Sequence, residues 1–124
     1  MKTKIESKSA PAAIGPYSQA ILAGDTVYVS GMLGIDPATG NLAEGVEAQA
    51  EQGLRNLEAV LKEAGMSTAN VVKTTVFLTD MGAFAAVNAI YAEHFSAPFP
   101  ARSCVQVSAL PKGGLFEIEA IAVR

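Results

Sequence analysis

Val71-Val72-Lys73-Thr74-Thr75-Val76-Phe77-Leu78 is rich in β-branched residues and reads as a strand. Helical periodicity flanks it on both sides. Upstream, between Gly45 and Ala64, the apolar residues Val46, Ala50, Leu54, Leu57, Leu61 and Ala64 recur at spacings of three and four, with Gly65 placed as a C-terminal cap. Downstream, Phe84, Val87, Tyr91 and Phe95 mark a second helix. A strand between two amphipathic helices calls for a mixed architecture.

Working outward, Tyr17 to Leu22 and Thr26 to Ser30 read as two short strands joined at Ala23-Gly24-Asp25, which opens the chain as a β-meander. Asp36-Pro37-Ala38-Thr39-Gly40 is a turn signal before the next element. Ser103 to Val107 and Glu117 to Val123 complete the strands. The order β-β-(β)-α-β-α-β-β predicts an α+β sandwich with both helices on one face of the sheet. In the last strand Phe116, Ile118, Ala120 and Ala122 alternate with Glu117, Glu119, Ile121 and Val123, so both faces become apolar toward its end. Two helices cover only one sheet face, and the other needs a second subunit. A homo-oligomer with clefts between subunits is expected.

The 124 residues, half of them apolar, suit one domain spanning 1–124. A formal charge of -3 leaves no basic footprint for a phosphate backbone, so no nucleic-acid partner is expected. The single cysteine cannot form an internal disulfide, which favours a reducing, cytoplasmic setting. Met1 to Lys8 starts basic, meets Glu6 and develops no apolar core, so a secretory signal is not expected. The uncharged run from Ser9 to Gly24 is broken by Pro11, Pro16, Ser18 and Gln19, and no membrane span is expected.

Candidate chemistry gathers around Phe99-Pro100-Ala101-Arg102-Ser103-Cys104-Val105-Gln106-Val107. Arg102 and Cys104, two apart on a strand, share a face. A guanidinium offers two parallel donors to a carboxylate, so Arg102 is a candidate anchor for a small organic acid; its structural alternative is a salt bridge to Glu117 or Glu119. A nearby cation lowers a thiol pKa, yet Cys104 has only one histidine, His94, to call on as a base, and packing in a cavity wall is the plainer role. Glu117 opens an otherwise apolar strand, where a carboxylate is costly unless paired or used for proton transfer, and Glu119 points the same way. The short connection Ala109–Leu115 would let the Arg102 and Glu117 strands pair as a hairpin. Asn88 lies at the edge of the second helix's buried stripe, able to satisfy backbone groups or reach a ligand. Tyr17 and Ser30-Gly31 lie near turns, available for packing, turn geometry or substrate contact.

One histidine and one cysteine cannot make an ordinary zinc site, and no metal is expected. Lys112-Gly113-Gly114 lacks the frame of a phosphate loop, and no Gly-x-Gly-x-x-Gly follows a strand, so nucleotide cofactors have no seat.

Gly15-Pro16-Tyr17-Ser18-Gln19-Ala20, Val29-Ser30-Gly31, Asp36–Gly40, Val72–Leu78, Pro100-Ala101-Arg102-Ser103-Cys104-Val105 and Glu117–Ala122 together resemble the RidA (YjgF) family of enamine and imine deaminases, in order and over nearly the whole length. The resemblance implies a chorismate-mutase-like α+β fold, a mixed β-sheet with two α-helices on one face, and a homotrimer with clefts between subunits. It implies hydrolysis of 2-aminoacrylate and related enamine or imine intermediates, released by pyridoxal-phosphate enzymes, to 2-oxo acids and ammonia without a cofactor. Carried onto this chain, Arg102 clamps the substrate carboxylate, Glu117 holds or activates the attacking water, and Cys104 lines the pocket. Tyr17, Ser30, Gly31 and Asn88 match positions placed in or near it. Met32 departs from the glutamine that many relatives carry after Ser-Gly. A non-catalytic module binding a small 2-oxo acid is the competing reading, since the same arginine would serve both; a sensor has no need of Glu117.

Overall fold

The computed structural model describes residues 1–124. Helix α1 (Gly45–Glu63) turns the apolar stripe inward, burying Ala50, Leu54, Leu57, Val60 and Leu61. Gly65 ends it as the spacing predicts: at φ +73° its N–H donates to the Lys62 carbonyl and the Met66 N–H donates to the Leu61 carbonyl, each at 2.9 Å. This Schellman closure needs a left-handed residue, the conformation glycine adopts without steric cost. Helix α2 (Phe84–His94) is shorter and buries Val87 and Tyr91.

Six strands form one sheet in the order β1-β2-β3-β6-β4-β5. They are β1 (Lys2–Ile5), β2 (Ala20–Ala23), β3 (Thr26–Leu33), β4 (Val71–Leu78), β5 (Ala101–Gln106) and β6 (Phe116–Val123). Only β4 and β5 run parallel, joined through α2, so the sheet is mixed. Phe116, Ile118, Ala120 and Ala122 of β6 are buried, and both helices pack on that face. Phe116, Leu54, Leu57 and Leu61 are all essentially inaccessible, each contributing about 1.5–3 kcal/mol by leaving water.

Three expectations change. The first strand is β1, at the N-terminus, and it completes the opening meander with β2 and β3; Asp36–Gly40 leads only to an isolated bridge between Ile35 and Leu42. Tyr17 to Gln19 are loop, with β2 starting at Ala20. The hairpin of the Arg102 and Glu117 strands does not form. β4 lies between them, pairing β5 on one side and β6 on the other. The connection from β5 to β6 is short enough for a hairpin, but both edges of β6 are filled, by β3 and by β4.

No helix is long and apolar enough to cross a membrane.

Candidate active site

Arg102 lies on edge strand β5, exposed, with its guanidinium carbon 4.8 Å from the Tyr91 ring centroid and 5.5 Å from that of Phe84. Both distances fall in the range of cation–π attraction. Asn88, between these rings on α2, accepts one hydrogen bond from Arg102 Nη1 at 2.7 Å. No carboxylate reaches Arg102, so the salt bridge to Glu117 or Glu119 is absent from the chain. The Nε–Nη2 edge keeps its donors free, the pair a carboxylate accepts side by side. Around it is a groove of about 340 Å³ lined by Asn88, Tyr91, Ala92, Phe99, Pro100 and Arg102.

Cys104 follows on the same face and packs against the core. Burial pushes its thiol pKa up, and the opposing pull of Arg102 does not reverse this. The activation by a nearby cation that sequence allows is therefore outweighed by desolvation. His94 is no base for it: Nε2 meets Glu51 at 2.7 Å and Nδ1 meets Glu58 at 3.1 Å, tying α2 to α1.

Tyr17, Ser30, Gly31 and Glu117 line another space, a cleft of about 870 Å³ whose wall also includes Phe77, Lys112 and Glu119. A bulge in β3 lies in its wall. Val29 pairs Ala120 and Met32 pairs Ile118, so Ser30 and Gly31 together face the single residue between. Ser30 is held there, its backbone N–H donating to the Gln19 carbonyl at 2.9 Å and its hydroxyl to the Ser18 carbonyl at 2.6 Å. Gly31 underlies the Glu117 carboxyl so closely that an added Cβ would sit 2.7 Å from Cδ. Tyr17 is half exposed at the rim. Glu117 is half-buried, and burial, then the charge of Glu119, raises its pKa.

The β4 register fixes how these two groups relate. Thr74 pairs Arg102 on one side and Ala120 on the other, on the helix-covered face. Phe77, three residues on, pairs Val105 and Glu117 on the opposite face. Arg102, Cys104 and Asn88 therefore come together on the helix side, Tyr17, Ser30, Gly31 and Glu117 on the open side, and the sheet separates the two sets. Sequence reading missed Tyr91, Phe84 and Thr74 as parts of the Arg102 site. Phe84, Asn88 and Tyr91 at spacings of four and three carried a signal, since such residues share one helix face.

A family model described as endoribonuclease L-PSP matches residues 7–124. A goat (Capra hircus) protein named 2-iminobutanoate/2-iminopropanoate deaminase is 55% identical over 97% of this chain and 88% of its own length. The chain belongs to this family, which includes RidA. The crystal structure of RidA from an Antarctic Psychrobacter superposes with a TM-score of 0.96 at 51% identity, covering 98% of this chain and 99% of that one. E. coli TdcF with bound serine superposes at 0.93 with 44% identity, covering 98% of each chain. The α+β fold predicted from the motifs is the fold of these RidA-family structures.

Proposed function

We propose that the protein is a 2-iminobutanoate/2-iminopropanoate deaminase, hydrolysing short 2-imino acids and their enamine tautomers to 2-oxo acids and ammonia. The observation that carries this reading is the unpaired donor edge of Arg102, held by Asn88 and two rings and open to a carboxylate. The serine bound by TdcF supports an amino-acid-sized carboxylate as ligand.

The imine carbon is already electrophilic, so the chain needs to supply orientation, a placed water and proton transfer. Arg102 anchors the carboxylate and removes entropy from the barrier. Water adds to the carbon of C=NH, the nitrogen gains protons, and the resulting carbinolamine expels ammonia as its hydroxyl becomes the 2-oxo group. Glu117, its pKa raised, takes the proton from the attacking water and returns it to nitrogen, a role contributing about 100- to 10,000-fold. Cys104 remains protonated and forms a wall.

Arg102 and Glu117 occupy opposite faces of one sheet, so the working site joins Arg102, Asn88 and Cys104 of one subunit to Tyr17, Ser30, Gly31 and Glu117 of the next. A homotrimer closing three such heterologous contacts fits this arrangement. Exposed Tyr28 and Val105 on the open face, with Phe99 beside β5, are apolar surface for the contact.

The test generates 2-aminoacrylate from serine with a dehydratase, competes for it with semicarbazide, and measures free pyruvate. The protein restores pyruvate and Arg102→Ala does not. Equal yields from the two would defeat the deaminase reading, and binding without turnover by the unmodified protein would convert it to a 2-oxo acid sensor.

A further inference from the structure

The proposed carboxylate anchor is an exposed arginine on a sheet edge, a setting in which a long side chain ordinarily samples many rotamers. Its surroundings restrict it. Tyr91, only 5% exposed, offers one ring face to the guanidinium at 4.8 Å and is stacked on Phe95, with centroids 4.4 Å apart and planes inclined by 28°. The Tyr91 hydroxyl is joined to the buried Thr74 hydroxyl at 2.7 Å. Thr74 is also the residue directly paired with Arg102 across β4 and β5. The face of the Tyr91 ring therefore supports the arginine's head, while Asn88 sets its rotation through a single acceptor.

We infer that Tyr91, its ring stacked on Phe95, is a positioning residue that holds the Arg102 guanidinium with its free donor edge turned toward the substrate carboxylate. The inference rests on the reading of Arg102 as carboxylate anchor. Tyr91 does not touch the reacting atoms. Its contribution acts on a carboxylate that changes little between bound substrate and transition state, so its loss raises KM and leaves kcat nearly intact. A merely structural role has a different signature, a fall in the active fraction that lowers kcat at unchanged KM.

The experiment measures kcat and KM for enzymatically generated 2-aminoacrylate, and the affinity for 2-oxobutanoate by calorimetric titration, in the unmodified protein, Tyr91→Leu, Tyr91→Met, Tyr91→Phe and Arg102→Ala. Thermal unfolding selects the folded variants. Removing the ring in Tyr91→Leu or Tyr91→Met raises KM and weakens 2-oxobutanoate binding by about 3- to 30-fold, the range of a partly desolvated cation–π contact. Tyr91→Phe keeps the ring and restores both values to within about twofold of the unmodified protein. Unchanged KM in a folded Leu or Met variant, or a loss in Tyr91→Phe as large as in Tyr91→Leu, overturns the inference. If neither aliphatic variant folds, Tyr91→Phe alone decides, since a tenfold rise in its KM is incompatible with a ring that supports Arg102. Arg102→Ala separates the two levels: if it binds 2-oxobutanoate like the unmodified protein, the anchor reading itself fails, whereas lost binding there with normal binding in Tyr91→Leu refutes only the role of Tyr91.

Discussion

Arg102 reaches its place through contacts made wholly within one chain: two rings and an amide of α2 meet a side chain of β5. Glu117 is placed by backbone, lying over a bulged Ser30-Gly31 in a cleft that is open on the sheet's uncovered face. The guanidinium's environment aims it, with one donor bound to Asn88 and its carbon over two rings. The carboxylate's environment changes its chemistry, because burial and the neighbouring Glu119 charge disfavour its ionised form. On the function proposed above, one half-site binds and the other moves protons. Neither suffices, and the intervening sheet keeps them apart in a single copy.

The strongest test of this division mixes subunits. Arg102→Ala and Glu117→Gln, each inactive alone, are unfolded together in equal amounts and refolded. Random assembly gives about a quarter of the interfaces an intact Arg102 facing an intact Glu117, so activity returns to about a quarter of that of the unmodified protein. Two half-sites working within one subunit would give no recovery.

Gly31→Ala tests the carboxylate half. Its added Cβ would stand 2.7 Å from Glu117 Cδ and force the carboxyl aside. A loss of kcat of about 10- to 100-fold is expected, with binding of 2-oxobutanoate little changed because Arg102 is untouched. Equal loss of binding in that variant would show that the two halves are not separable.

A smaller effect is expected for Cys104→Ala. A thiol whose pKa is raised by burial is a poor nucleophile at neutral pH, so steady-state turnover falls only about 2- to 5-fold through looser packing. Complete loss in a correctly folded variant would return Cys104 to the centre of the mechanism.

The smallest effect is on stability. Glu117 holds its proton more tightly in the folded protein than in the unfolded chain, so folding is favoured below the ordinary carboxylate value, about 4.5, and loses that contribution as pH rises through the folded-state pKa. Glu117→Gln removes the titration. Its melting temperature exceeds that of the unmodified protein at neutral pH, and the difference closes below about pH 4.5. A lower melting temperature at neutral pH would show that the ionised carboxylate is stabilised in the assembled protein.

The two halves also differ in how openly they are written in the chain. Helix α1, its stop at Gly65 and strand β4 depend on local period and on a left-handed residue at one position, and these are visible at short range. Family motifs single out Arg102 and Glu117 as well. The terminal strand β1 lacks that signal, since Lys2–Ile5 is an exposed edge strand with no alternating buried face. Tyr91 reads as ordinary core, because helical spacing gives the same stripe to a packing residue and to one that supports a cation.

Local pattern along these 124 residues thus settles the helices and most strands, and it supplies the candidate chemical groups. Strand order does not follow from it. A hairpin between β5 and β6 satisfies every short-range rule, yet β4 takes the place between them, paired parallel to β5 through α2 and antiparallel to β6. That insertion is a long-range choice among edges competing for backbone hydrogen bonds, and with the register of β4 it puts Arg102 and Glu117 on opposite faces.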